Sequence, residues 1–156
     1  MKKTFIEIER KWLMKNLPNL SPNQIINIIQ FYTGEDIRYR GERSSKDNKD
    51  FFYKMEKKST GKGRSREVVE EISLEEFYQA IQNCPYMIKK KRHIYEQENF
   101  NIEIDVFWNM SLVLMEIEVN SLEDKLEIPE DINKYIIKEV TGDPHLSNKY
   151  LSGFVN

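Results

Sequence analysis

Apolar and polar residues alternate with a period of two along most of this chain, so the pattern predicts strands before it predicts anything else. In residues 4–12 Ile6 and Ile8 fall on one face, and Glu7, Glu9 and Lys11 on the other. Further strands are expected at 24–33, 35–43, 51–58, 65–72, 87–96, 100–108 and 111–119. Segment 24–33 also carries a helical stripe in Ile25, Ile28 and Ile29. Ser59-Thr60-Gly61-Lys62-Gly63 reads as a hairpin connection. Helices are fewer. Ser73-Leu74-Glu75-Glu76 forms a capping box that opens a helix to about Asn83, ahead of Pro85. Ser121 with Asp124 suggests a short helix, and Pro129 suggests another over 129–137. The tail from Ser147 reads as a final helical turn.

The polar faces of these strands are organised. Charged residues recur in i, i+2 pairs: Glu7 and Glu9 with Lys11, Arg38 and Arg40, Lys90 and Arg92, Glu103 and Asp105, Glu116 and Glu118. Opposite them run apolar faces such as Ile102/Ile104/Val106 and Met115/Ile117/Val119. One charged strand face ordinarily meets water. Several faces, each of one sign, repel internally unless an opposite face or a ligand compensates. A sheet closed with its charges inward satisfies the pattern, and about eight strands suffice to enclose a ligand or a wet lumen. Clustered Arg and Lys suit phosphate oxygens, and clustered carboxylates suit hard divalent cations. Together they suit a metal-bound phosphate chain.

Length and composition narrow the function further. At 156 residues the chain is expected to form a single domain, 1–156. With 24 Lys+Arg against 26 Asp+Glu, it lacks the basic excess that general binding to nucleic acid or anionic membrane requires. Cys84 is the one cysteine, so no internal disulfide forms. No apolar run reaches bilayer length, and the N-terminal residues do not read as a secretion signal. A cytoplasmic protein is expected.

Glu7-Ile8-Glu9-Arg10-Lys11 is an ExExK signature on an alternating strand, and it resembles that of the CYTH superfamily of triphosphate tunnel metalloenzymes. Later segments are similar to the family's in the same order: Ile37-Arg38-Tyr39-Arg40, Tyr53-Lys54-Met55-Glu56-Lys57, Ile88-Lys89-Lys90-Lys91-Arg92, Glu103-Ile104-Asp105-Val106-Phe107, Met115-Glu116-Ile117-Glu118-Val119 and the closing Glu139–Lys149 stretch. The resemblance implies an α+β, mainly antiparallel fold: an eight-stranded closed barrel, open or partly open at both ends, with a few peripheral helices. It implies that Lys11, Arg38, Arg40, Lys57, Lys90 and Arg92 bind a small-molecule triphosphate. Glu7, Glu9, Glu116 and Glu118 would bind Mg²⁺ or Mn²⁺, with Glu7, Glu9 and Lys11 at the reacting centre. Glu71, Asp105 and Tyr32 are further candidates.

Two departures stand out. The β-strand after the lysine strand carries Val69 and Glu71 where the family usually has an ExE pair; Glu67 shares their parity, whereas Glu70 points the other way. His145-Leu146 stands where family members often have Arg-Tyr. The function implied is metal-dependent hydrolysis of inorganic tripolyphosphate or a related triphosphate. The alternatives are a class IV-type adenylyl cyclase on the same fold and a non-catalytic polyphosphate-binding module. Lys58, Lys62, Arg64 and Arg66 are expected at the surface, His93 in a structural or surface role, His145 in a loop, Cys84 inert, and Trp12 and Trp108 in packing.

Overall fold

A computed structural model describes residues 2–154. Nine antiparallel strands follow one another as β1 (Lys2–Met14), β2 (Gln24–Tyr32), β3 (Ile37–Ser44), β4 (Asp50–Gly61), β5 (Arg64–Ile72), β6 (Met87–Glu96), β7 (Asn101–Phe107), β8 (Val113–Glu118) and β9 (Ile136–Glu139). The sheet order is β5-β4-β3-β2-β6-β7-β8-β1-β9, and a further pairing of β5 with β1 closes the first eight strands into a barrel.

Closure falls to β1, which is long enough to serve three neighbours. Its Lys2–Ile8 half pairs with β5, and Glu9–Leu13 pairs with β8. Beyond the end of β5, Trp12–Met14 takes β9 on the edge opposite β8. At the junction the Glu9 N–H donates to the Gly63 carbonyl. Gly63 sits at φ +65°, and a Cβ there would stand 2.6 Å from the Glu9 carbonyl oxygen, so glycine alone lets the β4–β5 hairpin approach β1 this closely.

The main apolar core lies outside the barrel wall. Trp12, Ile102, Ile104, Met115 and Ile117 point outward and are covered by the segment after β8, chiefly Leu126, Ile128, Tyr135 and Ile132. Ile132 belongs to α2 (Glu130–Asn133), a single turn. On the other side α1 (Leu74–Ile81) is capped by Ser73, whose hydroxyl accepts from the Glu76 N–H, and it lays Phe77 against Phe31 and Phe52. A Cβ on Gly41 would meet Ile29, Phe52 and Phe77 at 3.2–3.3 Å, so Gly41 makes room for that ring.

Three expectations change. Ser121 and Asp124 form a turn rather than a helix: the Asp124 carboxylate accepts from the N–H groups of Asn120 and Ser121, ending the strand without starting a helix. Only 130–133 of the 129–137 segment is helical, because β1 offers an unpaired edge beyond β5 and Ile136–Glu139 takes it. One end of the barrel is also filled. Inward-facing Ile88, Phe107 and Leu114 pack with Leu146, Leu151 and Phe154 of the C-terminal segment, which comprises a 3-10 turn (Pro144–Leu146) and α3 (Asn148–Leu151).

Candidate functional site: a charged barrel lumen

Strand parity places the odd residues of β1, the even residues of β3 and the odd residues of β4 inside the closed sheet. The resulting cavity has a volume of about 1050 Å³. From β1 it receives Glu7, Glu9 and Lys11; from β3, Arg38 and Arg40; from β4, Lys57. β6 contributes Arg92, β8 contributes Glu116, and Tyr32 of β2 lies beside Arg38. Nine of the thirteen expected site residues thus share one enclosure, drawn from six strands.

The other four lie elsewhere. Lys90 and Asp105 are buried in the barrel wall, with Lys90 Nζ 2.7 Å from Asp105 Oδ2. Glu118 pairs with Glu9 by register but is exposed at the rim. Glu71 is exposed and contributes nothing to the cavity. Its place is taken by Glu67, four residues earlier on the same face, whose Oε1 accepts from Arg38 Nη2 at 2.9 Å. Parity alone grouped Glu67 with Glu71. What separates them is where β5 leaves the lumen, and the β1–β5 register sets that. Glu103 and Gln30 also meet the site, through Arg92 and Arg40.

Of the residues expected at the surface, Lys58, Lys62 and Arg64 border the cavity at the β4–β5 hairpin. Trp108, expected in packing, is 63% exposed, with Lys89 Nζ 5.3 Å above its ring. Its segment turns away after β7, leaving no layer to cover it. His93 is buried against the Ile104 carbonyl, and the Cys84 thiol meets the Tyr32 carbonyl oxygen at 3.2 Å.

The charges are unevenly matched. Lys57 Nζ lies 3.2 Å from Glu7 and 3.8 Å from Glu9, and Lys11 Nζ lies 3.6 Å from Glu116. Arg92 forks onto Asp105 at 2.9 and 3.0 Å. Arg40 differs. Its Nε donates to the neutral Gln30 amide oxygen at 2.7 Å, and among the described residues no carboxylate pairs with it. Burial, and then the neighbouring charges of Arg38 and Arg92, lower its pKa. The Arg38 Nε is also buried without a hydrogen-bond partner. A low-dielectric site that stacks cations in this way is poised for an anion.

The carboxylates show the complementary imbalance. Burial, reinforced by Glu116, pushes Glu9 up to about 8. Burial also raises Glu7, against the pull of Lys57. Glu116 is burdened by burial too, but Lys11 and Arg92 outweigh it and hold its carboxyl well below the usual range. Hard oxygen donors crowded enough to take up protons suit a divalent cation. Among the described residues no three His, Cys, Asp or Glu side chains are arranged to grip a metal ion together. The Lys57 ammonium is within 4 Å of both Glu7 and Glu9. The carboxylates fit a hard cation by the chemistry of their oxygens.

No protein-family model and no curated protein sequence matches the chain. Solved structures do. The inorganic triphosphatase NE1496 aligns over 96% of this chain and 95% of its own, at 22% identity and a TM-score of 0.61. The chain shares that protein's barrel fold. A conserved hypothetical protein from Pyrococcus furiosus aligns over 83% of this chain and 85% of its own, at 19% identity and a TM-score of 0.52. The PH1819 protein from Pyrococcus horikoshii OT3 aligns over 86% and 93%, at 15% identity and a TM-score of 0.51. At such identities the likeness is one of fold, and the tunnel's own residues must carry its chemistry. No helix among the described residues is long and apolar enough to cross a membrane.

Proposed function

We propose that this protein is a metal-dependent hydrolase of inorganic tripolyphosphate or a related triphosphate. The observation that carries the proposal is Arg40: a half-buried guanidinium in the lumen near the charges of Arg38 and Arg92, with a neutral amide as its hydrogen-bond partner. A phosphate chain supplies the missing negative charge, and guanidinium groups meet phosphate oxygens two at a time. The likeness to an inorganic triphosphatase agrees in fold.

Lys11, Arg38, Arg40, Lys57 and Arg92 hold the chain and spread its charge. Glu7, Glu9 and Glu116, with Glu118 at the rim, hold Mg²⁺ or Mn²⁺. When bound, that ion polarises a phosphoryl oxygen. Phosphoryl transfer depends mostly on positioning and charge neutralisation, and opposed cations and carboxylates supply both. One of these carboxylates, in its ionised form, takes the proton of the attacking water. Glu67 restores an acidic member on β5, the strand where Val69 had left a gap.

The test is a panel of inorganic tripolyphosphate, ATP and thiamine triphosphate with Mg²⁺ or Mn²⁺, following phosphate, pyrophosphate and cyclic nucleotide. Metal-stimulated phosphate release supports the proposal. Cyclic nucleotide with pyrophosphate would make the protein a cyclase. Tight tripolyphosphate binding with no turnover under any metal would make it a binding module.

A further inference from the structure

Lys90 and Arg92 sit two residues apart on β6 and face the same way, yet their surroundings differ completely. Arg92 reaches the cavity. The Lys90 and Asp105 side chains have no solvent exposure at all. Lys90 Nζ spends its donors on protein groups: Asp105 Oδ2 at 2.7 Å and Asn148 Oδ1 at 3.3 Å, with the Phe107 ring centroid 5.6 Å away. Ile88 and Leu114 belong to the apolar floor that Phe107 helps to form. The ammonium is held on protein groups and does not line the cavity.

Asp105 is equally committed. One carboxylate accepts three charge-assisted bonds: Arg92 Nε on Oδ1 at 2.9 Å, Arg92 Nη2 on Oδ2 at 3.0 Å, and Lys90 Nζ on Oδ2 at 2.7 Å. A carboxylate held by donors on both oxygens cannot rotate about its last torsion. The guanidinium plane of Arg92 is fixed with it. Arg92 Nη1 then stands 3.6 Å from Glu103, and Nη2, already bonded to Asp105, stands 3.7 Å from Glu116. Burial disfavours charge on Asp105, but Arg92 and Lys90 outweigh it and keep the group ionised.

We propose that Lys90 and Asp105 are positioning residues that touch no substrate: Lys90 locks the Asp105 carboxylate, and Asp105 aims the Arg92 guanidinium at the phosphate chain. This rests on the triphosphatase reading and departs from the sequence expectation that Lys90 binds phosphate directly. Removing Lys90 leaves Arg92 present but misaligned, so its effect should pass entirely through Arg92.

A double-mutant cycle separates the two roles. Tripolyphosphate hydrolysis is measured for the native protein, Lys90→Met, Arg92→Gln and the double variant, with unfolding midpoints recorded for each. Lys90→Met is expected to lower kcat/KM by roughly 10-fold or more in the native background, mainly through KM, and by less than about 3-fold in the Arg92→Gln background. An equal loss in both backgrounds overturns the proposal, because direct phosphate contact and general destabilisation both persist without Arg92. Should Lys90→Met fail to fold, Asp105→Asn, which keeps size and one acceptor, takes its place in the cycle with the same expectation. If the native protein turns over no triphosphate, the functional reading fails on its own. The cycle is then read on tripolyphosphate dissociation constants by calorimetry, where additive losses or absent binding overturn the positioning role.

Discussion

Arg40 is where closing the barrel has its sharpest electrostatic consequence. Its neighbours Arg38 and Lys57 have carboxylates within reach, while it has only Gln30. Replacing a half-buried, uncompensated cation with an apolar group of similar size relieves repulsion instead of breaking a pair. Arg40→Met is therefore expected to leave the unfolding midpoint of the ligand-free protein unchanged or raised. Glu67→Gln, which strips Arg38 of its partner, should lower it; scanning calorimetry compares the two. Glu9 gives a pH test. Its folded-state pKa of about 8 lies above the ordinary 4.5, so the folded protein binds the extra proton between those values. Its contribution to stability is complete below pH 4.5 and is lost as pH rises through about 8. Glu9→Gln should flatten the fall of the unfolding midpoint over that window and raise the midpoint at pH 8. A slope unchanged by the substitution would contradict the assignment.

Among the elements, β1 does the most, because it closes the barrel, bears three charged lumen residues and supports β9. The Gly63 approach to Glu9 is its seam. Gly63→Ala forces a side chain into φ +65° against a carbonyl 2.6 Å away, and should cost more than about 1 kcal/mol by chemical denaturation. Ile132 tests the outer layer: it is fully buried against the outward face of the barrel, so Ile132→Ala should cost about 2–5 kcal/mol. Most strands were legible because they alternate, and the parity of Glu7, Glu9, Arg38, Arg40 and Glu116 follows from that alternation alone. β9 was not. Four residues carry too little periodicity, and the edge that recruits them exists only after β1 outruns β5. Glu67 and Glu71 show the same limit. Both have the right parity, and only the tertiary register says that the lumen ends between them.

For the whole molecule, the arrangement inverts the usual globular plan: charge inside, apolar residues outside under a strap of irregular chain. The i, i+2 charge pairs announced that inversion. They did not announce that one end is filled by the C-terminal segment, since Leu146, Leu151 and Phe154 lie in stretches without strand or long helical periodicity. The exposed Trp108 escaped the sequence for a related reason, because a large aromatic reads as core wherever nothing marks the absence of a covering layer. The central claim is that opposed charges converge on one chamber built for a phosphate chain. Calorimetric titration of inorganic tripolyphosphate into the native protein, Arg40→Met and the outer-face variant Lys91→Met tests it most directly. One saturable site per chain is expected, weakened roughly 10- to 100-fold by Arg40→Met and untouched by Lys91→Met. Absent binding, or equal weakening by both substitutions, would contradict it.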